Sequence, residues 1–411
     1  MDPKAIADAS VITGVASDPG PLIAQLREQS PVCWLGGLDA WLLTRQEDVR
    51  LSFSDPRLTA DPRAYDRYEA PSDPRAARWI SEMPFRSTTL EGASLGRRLV
   101  SSALTPRAVS RLTACTHDVV ERFATPLRQR RDVVDLMGEF SIPVSATAIG
   151  RILGVPPKDE DEVRFRELAL QATATIRPFL SEGKRRRTEE AAAELGEYVL
   201  ALVAERRAAP RDDLISDLLR ETGGDASVSA DDVTRVVAGL VAAGTGTTGV
   251  AFGRAMRSLL KHPDQLSLLR SDRSLLPNAV EELLRYDSGL IVMPRYALED
   301  FPLHGQLLRK GQLILLCLMG ADRDPRVFAE PETVDIRRET RDSLSFGHGT
   351  HYCVGANIAR MELRLMIEAA LDFLPPWARL CEEKIRWSKK GLMSQIKTLP
   401  VDFASRSAGV R

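Results

Sequence analysis

One cysteine in this chain sits where a metal ligand would be expected. Cys353 lies in the run Phe346-Gly-His-Gly-Thr-His-Tyr-Cys-Val-Gly-Ala-Asn-Ile-Ala-Arg360. Beyond it, Ile358, Met361, Leu365 and Ala369 recur at three- and four-residue spacing, so a helix follows. Unpaired N–H groups at a helix start favour an anion. A thiol there is pushed towards thiolate, the form that binds metal. Gly347, Gly349 and Gly355 free the backbone and let a flat ligand approach it. His351 can donate a hydrogen bond near the same ligand. The bland alternative is that a lone cysteine is a small hydrophobe.

A second stretch, Val236 to Arg254, reads as a helix carrying Gly239, Gly244, Gly246 and Gly249. Each interior glycine costs about 1 kcal/mol relative to alanine, so several together need a reason. Close helix packing is one. A broken helical ladder over a ligand face, with Thr247 holding water, is the other. A third signal is Glu282-Leu-Leu-Arg285, whose charges share a helix face at i, i+3. In a chain that is 27% charged such a pair is usually a solvated bridge.

The elements that must position these residues are mostly helical. A short helix is expected at Pro21–Glu28, and Thr105-Pro106 reads as a helix start with Thr105 as N-cap. Long amphipathic segments cover roughly 107–126, 133–153, 160–180, 188–208 and 230–261. Lys184-Arg-Arg-Arg187 reads as a helix start. Strands are expected at Val32–Leu35 and Ala40–Thr44, through Val292–Ile314, and as a pair flanking Gly391. Residues 60–95 read as a long loop with little regular structure, and Thr333–Ser345 as an irregular meander. Parallel α/β folds fit this pattern poorly.

Length, 411 residues, suggests two or three domains by itself. The 44% apolar content supports a large core, and 56 basic against 57 acidic residues point to neither nucleic acid nor an anionic membrane. Five scattered cysteines give no disulfide framework or zinc pattern. The first residues resemble neither a secretory signal nor an anchor. No apolar run is expected to approach the ~18 residues needed to span a bilayer. A cytoplasmic, reducing setting is the default expectation.

The cysteine run resembles the haem-ligand loop of the cytochrome P450 family, F-G-x-G-x-H-x-C-x-G-x-x-x-A-R, at every fixed position. Further motifs follow the family's order. Ala243-Gly-Thr-Gly-Thr-Thr248 resembles its oxygen-binding segment A-G-x-D/E-T-T, and Ala279–Tyr286 its E-x-x-R helix. The resemblance spans about Pro19 to Phe403. It implies a mainly α fold with a small β-rich lobe, with β near 30–60, 290–315 and 385–403, and one domain over 1–411. It implies haem b (iron protoporphyrin IX) with Cys353 as axial thiolate, a ligand that favours O–O cleavage.

By the same resemblance Thr247 bonds iron-bound oxygen and its water, beside Ala243 and Gly244. Gly246 stands at the acid position, so the usual proton relay is in doubt; a lost general acid typically costs 10²–10⁴-fold. Arg97, Arg295 and His351 would hold the propionates, with Phe346, Gly347 and Gly355 shaping the loop; the His of H-x-x-x-R is replaced by Ala93. Glu282 and Arg285 would brace the meander, with Arg338 in place of the Arg missing at Thr333. The pocket would be lined by residues 60–95, 172–179, and by Val237, Leu240, Ala243, Ile291, Val292, Met293, Leu392 and Met393. Arg98, Arg107, Arg360 and Arg364 would face an acidic ferredoxin.

The activity implied is insertion of one oxygen atom from O₂ into a hydrophobic small molecule: a terpenoid, steroid, polyketide or cyclic peptide. Electrons would come from a ferredoxin and its NAD(P)H-dependent reductase, to a monomer in secondary metabolism. Two other readings stay open. The same oxidant could serve C–C or C–N coupling or peroxide-driven oxidation, or the protein could be a non-enzymatic haem sensor or carrier.

Overall fold

The computed structural model describes residues 19–80, 90–103, 106–156, 159–173, 182–222, 228–387 and 396–404. Helices dominate. The longest, Ala230–Lys261, begins with a reciprocal capping box: the Ser229 hydroxyl accepts from the Asp232 N–H at 3.1 Å, and the Asp232 carboxylate accepts from the Ser229 N–H at 2.9 Å. It then runs without interruption, so of the two readings of its glycines the broken ladder falls and close packing stands.

Its glycines serve packing instead. A Cβ on Gly244 would stand 3.3 Å from Ile149, one on Gly249 3.0 Å from Ile142, and one on Gly253 2.2 Å from the Met137 sulfur. The helix Ile142–Leu153 and the π-turn Met137–Ser141 that leads into it therefore lie in this glycine groove. The Ser141 hydroxyl donates to the Gly249 carbonyl at 2.6 Å, and the Ser145 hydroxyl to the Gly244 carbonyl at 3.3 Å. Gly246 differs: among the described residues, a Cβ there would meet only a Thr173 methyl at 3.7 Å.

The charge-free stretch Val236–Gly253 makes this helix long and apolar enough to cross a membrane by length and composition, contrary to expectation. Yet 72% of its most apolar window is buried inside the protein, as befits a core helix.

The β-rich lobe is a five-stranded sheet in the order Val32–Leu35, Ala40–Leu43, Leu313–Cys317, Val292–Ala297, Leu58–Thr59. Ala40–Leu43 pairs in parallel with Leu313–Leu316, and the other pairings are antiparallel. Leu313 to Leu316 are wholly buried, because apolar clusters cover both faces of the sheet. A short hairpin, Phe301–Leu303 with Gln306–Leu308, turns at His304 and Gly305, both at positive φ.

Several local expectations change. Residues 60–95 carry regular structure: a 3₁₀ turn at Pro62–Ala64, a helix at Pro74–Ile80, and the start of the helix Leu90–Ala103. The buried Glu189 carboxylate accepts from the Ser72 hydroxyl and N–H and from the Asp73 N–H, fixing the entry to Pro74–Ile80. The Trp79 ring lies where a Cβ on Gly196 would stand. The segment 133–153 is not one helix: Val133–Asp135 is a strand paired with Pro400–Asp402. Arg386–Trp387 pairs with Ile396–Thr398 around Gly391, which lies outside the described residues, as do Thr105, Leu392 and Met393.

Candidate active site

Backbone conformation builds the cysteine loop. Gly347 and Gly349 have φ of 75° and 59°, which favours glycine. Added side chains would also collide: a Cβ on Gly349 would stand 2.7 Å from the Ser54 hydroxyl, and one on Gly347 3.2 Å from Phe53. The loop is thus seated on residues far away in sequence. The Cys353 N–H donates to the Phe346 carbonyl at 2.8 Å, turning the chain back before the helix Ala356–Phe373. Beyond the cysteine, a Cβ on Gly355 meets nothing within 4 Å among the described residues, which leaves a flat group room on that side.

The thiol corrects one expectation. Burial raises the Cys353 pKa; the Gly355 N–H, Arg360 and Arg97 oppose the rise without overcoming it. The side chain keeps an accessible side, and protein surrounds the rest. A metal ion, rather than the helix start, must supply the drive to thiolate.

Three basic groups converge beside this loop. Arg295, on the strand Val292–Ala297, is 2% exposed. Its guanidinium lies 4.9 Å over the Phe53 ring, and Nη1 donates to the Pro294 carbonyl at 2.8 Å. Its Nη2 is buried without a partner, and burial lowers its pKa to about 10. The Arg97 Nη1 donates to the Tyr352 carbonyl at 2.9 Å, next to the cysteine. His351 is driven down to about 4, first by burial and then by Arg295 and Arg97. A buried cation with no anion is costly. Donors gathered beside a thiol loop fit a flat group that carries an iron and two carboxylates, as haem does.

The long helix supplies the opposite wall. Ala243 is exposed and Gly244, Gly246 and Thr247 are partly so, in a helix otherwise mostly buried. The Thr247 hydroxyl donates to the Ala243 carbonyl at 2.6 Å, one turn back. Leu240, Ile291 and Val292 are buried and Met293 partly so; Val237 is wholly inside the main core, so it packs rather than lines a pocket.

The Glu282–Arg285 pair is buried, not solvated. Arg285 Nε and Nη2 donate to the two carboxylate oxygens at 2.7 and 2.9 Å, and Nη1 to the Asp322 and Pro331 carbonyls. Arg338 Nε completes the set on Glu282 at 3.2 Å, as expected from the loss of Arg at Thr333. Of the cations near the cysteine helix, Arg360 is paired with Glu281 and stacks on Phe346 at 4.4 Å, while Arg364 is exposed. The side chains of Arg107 and Ala93 lie outside the described residues.

Sequence reading passed over two buried polar residues here. Glu362 is 4% exposed, in the cysteine helix, and is hydrogen-bonded to Ser145. The available signal was a carboxylate in an apolar stretch, Met361-Glu-Leu363 with Leu365 and Met366.

Comparison with known proteins agrees with this geometry. The family model "Cytochrome P450" matches residues 73–373. Cytochrome P450 CYP107DY1 of Priestia megaterium is 32% identical over 89% of this chain and 90% of its own. Polyketide biosynthesis cytochrome P450 PksS of Bacillus subtilis is 29% identical, covering 94% and 96%. The epothilone B-bound structure of P450epoK superposes with a TM-score of 0.86 at 26% identity, covering 96% and 98%. Family model, relatives and fold agree: the chain belongs to the cytochrome P450 family, as a haem b monooxygenase.

Proposed function

We propose that this protein inserts one oxygen atom from O₂ into an uncharged, polyketide-like secondary metabolite, with electrons delivered by a ferredoxin. The observation that carries the reading is the convergence of Arg295, Arg97 and His351 beside Cys353, with a buried guanidinium nitrogen awaiting an anion. Cys353 would hold the iron, and these three residues the two propionates. Haem b, when bound, supplies reductive cleavage of O₂. The protein's part is to orient and to manage protons. Thr247 presents a hydroxyl on the accessible strip of the long helix, and its bond to the Ala243 carbonyl fixes where that hydroxyl points. Leu240, Ile291, Val292 and Met293 would give the substrate an apolar wall.

The polyketide class is supported by the names of two similar proteins, one assigned to polyketide biosynthesis and one bound to epothilone B. The ferredoxin is supported by the exposed Arg364 on the cysteine helix, and such a partner places the protein in the cytoplasm. A peroxide-driven oxidation is the second reading, favoured by the absence of an acid at Gly246.

The test is the reduced carbon-monoxide spectrum, followed by turnover. The wild type should show the band characteristic of thiolate ligation, and Cys353→Ser should lose it. Product from a polyketide panel should need ferredoxin, reductase and NAD(P)H. A variant that keeps the band, or product made with peroxide alone, would overturn the corresponding part.

A further inference from the structure

A cleft of about 440 Å³ opens beside the β-rich lobe, away from the cysteine itself, and its size is usual for a small-molecule site. Leu43 and Ile314 of the five-stranded sheet line it, with Leu51 of the helix Gln46–Ser52 and Phe301, Leu303 and Leu308 of the hairpin. Neither Cys353, His351 nor Arg295 lines it. Its charged side chains are few and unequal. Arg57 Nε and Nη2 donate to the Asp55 carboxylate at 2.9 and 2.7 Å, so these two cancel, and the guanidinium lies 4.3 Å over the Phe301 ring. Asp48 is the charge that remains. Its side chain is 10% exposed, Oδ1 accepts from His304 Nε2 at 2.8 Å, and Oδ2 is buried with no hydrogen-bond partner. The imidazole offsets that charge only when it is protonated.

A carboxylate nine-tenths buried and half satisfied, set in an apolar wall, calls for a cation that brings its own N–H donors. A neutral occupant would leave the charge without compensation, and an anion would be repelled. The cleft also adjoins the seat of the cysteine loop. Ser54 lines it, and the Ser54 hydroxyl is the group that a Cβ on Gly349 would meet at 2.7 Å. Phe53, the residue before it, packs against Gly347 and under the Arg295 guanidinium. Ile314 stands opposite Arg295 on the neighbouring strand, so the two share one face of the sheet.

We infer that this cleft is an effector site for a small apolar amine, an aryl- or alkylammonium. Its cation pairs with Asp48, and its body fills the space among Leu303, Leu308 and Ile314. With the cleft filled, Ser54 is braced from behind, and the cysteine loop seated on it is steadied. The occupant is distinct from the molecule to be oxidised, which meets other residues: Leu240, Ile291, Val292 and Met293. The inference therefore does not depend on which substrate is oxidised or on the source of electrons.

The test uses the haem-loaded protein with its iron capped by excess phenylimidazole, so that the probe cannot ligate it. The probe is para-fluorophenethylamine, followed by fluorine NMR. Its resonance should shift saturably as protein is added. The matching alcohol, para-fluorophenethyl alcohol, has the same body without the charge and should bind at least ~10-fold more weakly, as for loss of one hydrogen bond to a charged group. Asp48→Asn should erase that preference. Leu303→Trp fills the cleft, leaves Asp48 in place and should abolish binding of both probes; it decides the matter if Asp48→Asn does not fold. Hydrogen exchange of the backbone over 346–353 should slow several-fold when the amine is bound. Equal affinity for amine and alcohol, or unaltered binding in Leu303→Trp, would overturn the site. Binding that leaves exchange of the loop unchanged would overturn its effector role.

Discussion

At the scale of single residues, two buried ionisable groups have opposite consequences. Arg295 is held without an anion, so its charge opposes folding of the haem-free protein. Arg295→Leu should therefore leave the haem-free protein as stable as the wild type or more so. The haem-loaded variant should lose stability, by ~3–5 kcal/mol if a buried carboxylate is left unpaired, and should release haem faster. Thermal melts of both forms and haem transfer to an acceptor globin would check this; a variant equally weakened in both forms would contradict it. Glu362 acts through pH. The unfolded chain releases this proton near 4.5, while the folded protein holds it to about 8. The stability it lends is complete below the first value and is lost as pH rises through the second. Asp322, raised to about 6 by burial, adds a decline over the lower part of that window. Melting temperature should thus fall from about pH 5 to pH 8, and Glu362→Gln should flatten the upper half of the decline.

At the scale of elements, the long helix separates glycines that pack from one that does not. Gly249→Ala would press on Ile142 at 3.0 Å and on the Ser141 carbonyl at 3.3 Å, so it should destabilise by ~1–3 kcal/mol, the usual range for overpacking. Among the described residues Gly246→Ala meets only a methyl at 3.7 Å, and it should stabilise by up to ~1 kcal/mol through helix propensity. Denaturant unfolding of the two variants gives the comparison, and equal effects would undo the distinction. This difference was not legible in the sequence, where all four glycines looked alike and left close packing and a broken ladder both open. Periodicity shows which residues share a face but not which helix will lie against it. The same limit hid the strand Val133–Asp135, whose partner Pro400–Asp402 is remote in sequence. It also hid the Ser145–Glu362 contact, made between two helices. By contrast, the cysteine loop was legible in residue type and spacing within one segment, whereas the Glu282–Arg285 brace and Arg338 came only through the resemblance, since the pair alone reads as a solvated bridge.

At the scale of the whole molecule, the near-neutral charge hides a local asymmetry. Arg364 is exposed on the cysteine helix while Arg360 is tied to Glu281. With an acidic ferredoxin on this face, Arg364→Glu should slow reduction of the iron several-fold at low salt, and the difference should shrink towards 0.5 M salt as charges are screened. Stopped-flow reduction across a salt series would show it, and a rate insensitive to the substitution would move the docking face elsewhere. The sequence indicated a mainly helical fold with strands concentrated near both ends, because helical periodicity is carried within each segment.

The seating of the cysteine loop on Phe53 and Ser54 bears on the order in which the protein is made. Arg27 bonds the Gly320 carbonyl, and Gln46 the Asp324 carboxylate and the Asp342 carbonyl, so early and late segments are interlocked around the loop. During synthesis, the first strands of the sheet leave the ribosome long before Leu313–Cys317, the strand that joins Ala40–Leu43 to Val292–Ala297. Until then the nascent chain carries an unclosed sheet edge and a seat for a loop not yet translated. Cofactor capture is therefore one of the last events in the life of the nascent polypeptide, and a supply of haem that lags translation would leave finished chains waiting for it.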